Sequence, residues 1–309
     1  METSVLSLKN VSKSFGKEKA LNQVTLTVRK GDIYGLIGRN GSGKTTIMRL
    51  ITDLSTESKG EIALSGNAKG TSSYHTALQR IGAVIETPVA YNKLTAYENM
   101  KIICIQKGIH DFSIINETLE FVNLANTGKK KFRNFSLGMK QRLGIAMALV
   151  NSPDFLILDE PINGLDPIAI IEFRELLEKI NIEKNTTILI SSHILTELYQ
   201  VSTRFGFIHQ GEMIQEITKE EFDSSCSQAI IVRVQNTSQA AVVLMEAIGD
   251  KFRFVGENEI HITDPSASVA GINQLLSANG ILIDFIGKKE SSLENYYTNL
   301  IQSLGGGKK

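Results

Sequence analysis

Gly38-Arg39-Asn40-Gly41-Ser42-Gly43-Lys44-Thr45-Thr46 fits the pattern GxxxxGK[ST] and leads into Ile47-Met48-Arg49-Leu50. Gly38, Gly41 and Gly43 allow a backbone to wrap until its N–H groups converge on phosphate oxygens, and a helix starting behind them adds the positive end of its dipole. Lys44 in such a loop reaches β- and γ-phosphates, and the Thr45 hydroxyl is a ligand for Mg²⁺. Asn40 and Thr46 belong to the same binding set. A second constellation, Phe155-Leu156-Ile157-Leu158-Asp159-Glu160-Pro161, is an apolar run that ends in two acids. At the C-terminal end of a parallel strand those acids would face the ligand crevice. Asp159 is then placed to hold Mg²⁺ through water, and Glu160 to polarise an attacking water. Taken singly, the first segment could be a flexible glycine turn and the second a solvated strand end; together they point to nucleotide hydrolysis.

Buried strands must carry these groups. Val5, Leu6, Leu8 and Val11, then Val24, Leu26 and Val28, alternate with period two as half-buried strands do. Continuous apolar runs at Ile33–Ile37, Ile81–Ile85, Phe155–Leu158 and Thr187–Ile190 are bounded by turn residues and separated by helical periodicity. Parallel strands with crossover helices have this form. Between about Pro88 and Val150 helical segments take over, at Thr95–Gln106, Ile114–Val122 and Leu137–Val150, so residues 88–150 are predicted to be a helical insertion. A domain boundary is expected near Gln215. Residues 216–304 follow the order β-α-β-β-α-β plus a last helix, with strands at Ile230–Val234, Phe252–Val255, Ile260–Thr263 and Ile281–Ile286. Helices are expected at Ala240–Ile248, Ala267–Ala278 and Leu293–Leu304, which makes this an α+β, ferredoxin-like unit. Residues 305–309 are expected to be disordered.

Composition narrows the class. The 309 residues are 42% hydrophobic and 21% charged, which excludes disordered and fibrous chains. Thirty-three basic residues balance thirty-three acidic ones, so no global field draws the molecule to nucleic acid or anionic lipid. The basic run Lys129-Lys130-Lys131-Phe132-Arg133 lacks any recognised module and reads as a solvated loop, so no nucleic-acid partner is expected. Cys104 and Cys226 lie far apart with no metal-ligand spacing, which suits a reducing compartment. The start, Met1–Lys9, has no signal-peptide pattern, and no apolar run approaches the roughly 18 residues of a membrane span. Any work at a membrane needs a partner that supplies the spanning helices.

Four further segments carry a family resemblance. Phe135-Ser136-Leu137-Gly138-Met139, followed by Lys140-Gln141-Arg142, resembles the signature motif LSGGQ of the ATP-binding-cassette (ABC) family. Leu137 and Met139 depart from the common form, while Ser136 and Gly138 keep the hydroxyl and the close-approach glycine. Asn163-Gly164-Leu165-Asp166 is similar to the family's D-loop, His193 falls at its switch histidine, and Phe15 stands like the aromatic that stacks on adenine. The resemblance spans about residues 1–215. It implies a P-loop ATPase core with an N-terminal antiparallel β subdomain and helical insertion, binding ATP and Mg²⁺. Glu160 and His193 would be catalytic, and Ser136, Gly138 and Asp166 would complete the nucleotide site of a second copy in a head-to-tail dimer.

After the Ile81–Ile85 run the family has a glutamine, and this chain has Glu86. Glu86 could ligate Mg²⁺ as a charged oxygen or do the glutamine's job unchanged. It resembles the subgroup serving lantibiotic and bacitracin-type transporters, as do the segment Phe135–Gly144 and Ser291-Ser292-Leu293-Glu294-Asn295-Tyr296-Tyr297. The resemblance implies the ATPase subunit of an exporter that confers immunity or resistance to a peptide antibiotic. Integral membrane permease subunits would hold it at the cytoplasmic face of the membrane. In the family the helical insertion receives those subunits, with Tyr91, Leu94, Tyr97 and Met100 as candidate contacts. Another exported drug or lipid, or a soluble ATPase acting on ribosomes or DNA, are the alternatives. The C-terminal region shows no catalytic constellation.

Overall fold

The computed structural model describes residues 3–225, 229–264, 266–288 and 292–305. Cys226, Ser291 and the expected tail beyond Gly305 lie outside the described residues. The chain divides into two units, Met1–Lys219 with Leu300–Lys309, and Glu220–Asn299.

In the first unit the elements run β1 (Ser4–Phe15), β2 (Glu18–Arg29), β3 (Ile33–Ile37), α1 (Lys44–Ile51), β4 (Lys59–Leu64), β5 (Asn67–Ala68), α2 (Ser72–Leu78) and β6 (Ile81–Val84). The helical insertion follows as α3 (Ala96–Gln106), α4 (Ser113–Phe121) and α5 (Leu137–Leu149). Then come β7 (Phe155–Asp159), α6 (Pro167–Lys184), β8 (Thr187–Ser192), α7 (Leu195–Val201), β9 (Arg204–His209) and β10 (Glu212–Thr218). One sheet, in the order β2-β1-β4-β5, is antiparallel. The other, in the order β10-β9-β3-β8-β7-β6, is parallel except for the β9–β10 pair.

Every residue of β3, β7 and β8 is buried, which is why these strands read as unbroken apolar runs rather than alternating ones. The N-terminal sheet packs Leu6, Leu8, Leu21, Leu26 and Ile62 into a core shared with Ile47, Met48 and Leu50 of α1. That contact anchors the helix behind the glycine loop. α3 starts on a capping box, the Thr95 hydroxyl accepting from the Glu98 N–H at 3.2 Å and the Glu98 carboxylate from the Thr95 N–H at 2.6 Å. Met100 on this helix is fully buried, so it belongs to the core and is unavailable as a surface contact; Tyr91 and Tyr97 are exposed.

The sequence-based boundary at Gln215 falls inside β10, whose pairing with β9 keeps it in the first unit as far as Lys219. After α8 (Lys219–Ser225), the second unit runs β11 (Ile230–Val234), α9 (Thr237–Ile248), β12 (Phe252–Phe254), β13 (Glu259–Ile262), α10 (Val269–Ala278) and β14 (Ile283–Lys288). The last helix, α11, is Leu293–Gly305. The strand order β12-β13-β11-β14, antiparallel throughout, is the split βαβ arrangement. Alternation along β11 buries Ile230, Val232 and Val234 against Ala240, Leu244, Ile260, Ile272 and Leu276.

Candidate functional site

Parallel pairing brings the carboxyl ends of three strands level, with Ile37 of β3 opposite Ser192 of β8, and Ser191 opposite Asp159 of β7. Residues from three distant segments therefore meet at one edge of the sheet. The glycine loop runs from β3 into α1, with Gly41 at φ 78° and Gly43 at φ 111° as the helix N-cap. A Cβ on Gly38 would lie 2.6 Å from the Ile208 carbonyl oxygen, and one on Gly43 would lie 2.5 Å from Leu21. Both positions thus require glycine, and the loop backbone stays open to a ligand.

Lys44 is 5% exposed. Its ammonium donates to the carbonyls of Gly38 at 2.7 Å and Arg39 at 3.3 Å, and stands 3.2 Å from Glu160 Oε1. The Thr45 hydroxyl donates to Asp159 Oδ2 at 2.6 Å, and the Ser191 hydroxyl donates to Asp159 Oδ1, also at 2.6 Å. Glu160 has a left-handed backbone, φ 49°, and its N–H donates to both the Ser191 hydroxyl at 3.0 Å and the Ser191 carbonyl at 3.2 Å. His193 Nδ1 lies 2.6 Å from Glu160 Oε2, which also accepts the His193 backbone N–H at 3.3 Å. A carboxylate only accepts, so Nδ1 carries the hydrogen.

Lys44, Thr45 and Glu160 line a cleft of about 490 Å³ with Phe15, Asn40, Gly41, Gly43, Thr46 and Gln210, among others, and Asp159 and His193 bond to its lining residues Thr45 and Glu160. Phe15, at the end of β1, is 53% exposed, with the Lys13 ammonium 4.9 Å over its ring. One wall of the cleft is thus an available aromatic face, and the lining carries a buried ammonium beside the Glu160 carboxylate. A site of this size and polarity suits a polyphosphate with a planar base.

Four candidate residues stand elsewhere. Ser136 caps α5, accepting the Met139 N–H at 3.3 Å. Gly138 follows it, and a Cβ there would meet only ordinary contacts, Ala169 at 3.6 Å and Leu165 at 3.8 Å. Packing within the chain does not demand a glycine at this position. Asp166 caps α6 by accepting the Ala169 N–H at 2.9 Å, ahead of Pro167 at the first helical position. Glu86, at φ 64° and 61% exposed, pairs with the Arg49 guanidinium and is not among the residues lining the cleft.

Two contributors escaped the sequence reading. Ser191 had a signal, since it is the first polar residue after a buried apolar run, as Asp159 is after its own. Gln210 had a weaker one, a Gln-Gly turn. That turn buttresses the loop, for the Gly211 N–H donates to the Ser42 carbonyl at 3.0 Å and the Gly211 carbonyl accepts from the Asn22 N–H at 2.8 Å.

Comparison with known proteins agrees with this geometry. Residues 21–163 match the family described as ABC transporter. The chain is 41% identical over 304 residues to the bacitracin transport ATP-binding protein BcrA of Enterococcus faecalis, covering 98% of this chain and 97% of that one. To the lantibiotic transport ATP-binding protein SrtF of Streptococcus pyogenes it is 45% identical over 221 residues, 72% of this chain and 93% of that one. Among solved structures, a dimeric ATP-binding cassette in a post-hydrolysis state bound to ADP and Pi superposes with TM-score 0.62 at 28% identity, covering 69% of this chain and 98% of that one. The chain therefore belongs to the ABC transporter family, as an ATP-binding subunit that hydrolyses ATP.

Proposed function

We propose that this chain powers a membrane exporter that protects its cell against a peptide antibiotic of the bacitracin or lantibiotic type. The observation that carries this reading is the 41% identity to a bacitracin transport ATP-binding protein over 98% of the chain, a span that takes in the C-terminal unit as well as the cassette.

The site's own residues supply the hydrolytic step. The loop N–H groups, the α1 N-terminus and the Lys44 ammonium receive the phosphates. Glu160 orients and deprotonates the attacking water, and His193 and Lys44 hold one carboxylate oxygen each. Thr45 and Asp159 offer a hydroxyl and a carboxylate, hard oxygen donors of the few-ligand kind that suits Mg²⁺, and this pair fits the ion. When bound, Mg²⁺ neutralises phosphate charge. Phe15 offers its exposed ring to the adenine.

The rest of the assembly is read from what the cleft lacks. Ser136, Gly138 and Asp166 do not line it, and Gly138 has no steric need for glycine within the chain. This supports a head-to-tail homodimer in which a second copy brings its Ser136 and Gly138 to the γ-phosphate. Val89, Tyr91 and Tyr97 are 86%, 59% and 38% exposed in the stretch after Glu86, a surface suited to permease subunits. Among the described residues no helix is long and apolar enough to cross a membrane. Permease subunits would then hold the chain at the cytoplasmic face. Residues 1–219 form the proposed ATP-binding domain, and the unit Glu220–Asn299 is an accessory domain without assigned chemistry.

The test is antibiotic susceptibility in a strain deleted for this chain and complemented with the parent or with Glu160→Gln. The parent is expected to restore the inhibitory concentration of bacitracin or of a lantibiotic, and the variant to leave the strain sensitive. Unchanged susceptibility to both classes on deletion would reject the cargo and leave the ATPase assignment standing.

A further inference from the structure

Ser191 is fully buried on β8, directly opposite Asp159. Its hydroxyl lies between the two acids of the site, donating to Asp159 Oδ1 at 2.6 Å and accepting from the Glu160 N–H at 3.0 Å. The other Asp159 oxygen accepts from Thr45 at 2.6 Å, so both oxygens of a carboxylate that is 2% exposed have fixed donors. Glu160 begins at φ 49°, a left-handed backbone that a non-glycine residue keeps only when its surroundings hold it there. The holding contacts are again those of Ser191, whose hydroxyl and carbonyl share the Glu160 N–H.

We infer that Ser191 is a positioning residue for ATP hydrolysis, with one hydroxyl setting the rotamer of Asp159 and the backbone from which Glu160 reaches His193 and Lys44. The inference rests on the hydrolytic reading of Asp159 and Glu160 given above. Without the hydroxyl, Oδ1 of Asp159 loses its donor, and the carboxylate can rotate away from the Thr45 hydroxyl with which it faces Mg²⁺. Glu160 keeps only the carbonyl half of its anchor. Neither change removes a loop N–H group or the bonds from Lys44 to the Gly38 and Arg39 carbonyls, so nucleotide binding without metal should survive. Loss of an outer partner of this kind typically lowers metal affinity or activity by about 10- to 100-fold.

The experiment uses the purified full-length chain, its Ser191→Ala and Ser191→Thr variants, and Glu160→Gln as the inactive reference. Steady-state ATP hydrolysis is measured against Mg²⁺ concentration, a fluorescent ATP analogue is titrated with Mg²⁺ and with EDTA, and thermal unfolding is followed in parallel. Ser191→Ala is expected to lower kcat by about 10- to 100-fold and raise the Mg²⁺ concentration for half-maximal analogue binding by about 10-fold, with EDTA-state affinity within about twofold. Ser191→Thr, which keeps the hydroxyl, is expected to recover most of both losses.

A Ser191→Ala protein with parent-like kcat and Mg²⁺ dependence overturns the inference. So does one that loses EDTA-state affinity to the same extent, or whose losses Ser191→Thr leaves in place, because the serine is then only structural. If the parent hydrolyses no more ATP than Glu160→Gln, the hydrolytic reading itself has failed, a result distinct from the others.

Discussion

The site-bearing sheet of the first unit and the sheet of the second are of opposite construction, and their polar residues follow the difference. In the first unit, parallel strands end together, and Lys44, Asp159, Ser191 and Ser192 are all no more than 5% exposed. Buried polar groups are costly unless they are bonded; here Lys44, Asp159 and Ser191 are bonded to one another or to the loop, and Ser192 accepts the Ile194 N–H at 2.9 Å. In the second unit the antiparallel strands alternate direction, so their carboxyl ends are split between two edges. Its core is aliphatic, from Ile230, Val232 and Val234 to Leu244 and Leu276. Its buried polar residues serve local needs: His261 Nε2 lies 2.7 Å from Glu259, and Asp264 accepts the Ser266 N–H at 3.0 Å. A parallel sheet gathers chemistry from distant parts of a chain to one edge, and an antiparallel one of this size does not.

Substitutions in the two units should separate binding from stability. The largest effect is expected from Lys44→Ala, which removes the ammonium between the loop and Glu160. ATP affinity should fall by about 100-fold or more, the scale of losing a charge-assisted contact to a buried ligand, and titration with a fluorescent ATP analogue reads it directly. Ile260→Ala in the second unit should act on stability alone. Ile260 is fully buried, and its truncation should destabilise that unit by about 2 to 5 kcal/mol in denaturant unfolding while ATP affinity stays within about twofold. A matching loss of ATP affinity would mean that the second unit shares in the site.

Arg80→Ala should do least. Arg80 and Asp154 form an ion pair with side chains 61% and 56% exposed, and the guanidinium holds the Asp154 carboxyl below its usual range. Such a pair contributes about 0.2 to 1 kcal/mol. Because the folded pKa is the depressed one, the contribution is present above the unfolded aspartate value of about 4 and is lost as pH falls through the folded value. Unfolding at neutral and at strongly acid pH should show a small difference between parent and variant only at neutral pH.

Much of the site was legible because its strands are short apolar runs that end in distinctive groups. Glycines and a lysine follow β3, two acids end β7, and a histidine follows β8. The fold was legible to the same extent, through period-two strands at the start and the β-α-β-β-α-β order at the end. Other features had weaker punctuation. β4 exposes Lys59, Gly60 and Glu61, so half of the strand carries no apolar signal. β10 is half-buried along most of its length, which hid its continuity past Gln215. Met100 carries no sequence mark of its burial, since it is the rotation of α3 that turns it inward. Ser191 ends its apolar run as Asp159 ends its own, but the partnership of the two comes from a register that only sheet pairing creates, which sets Ser191 opposite a residue 32 positions away in sequence.

In the proposed function Glu160, held by His193 and Lys44 and anchored through Ser191, activates the water that attacks bound ATP. The most direct test is to measure ATP turnover and ATP affinity of Glu160→Gln side by side with the parent. Turnover is predicted to fall by about 10² to 10⁴, the range of a lost general base, with ATP affinity unchanged. Full turnover retained in Glu160→Gln would contradict the account.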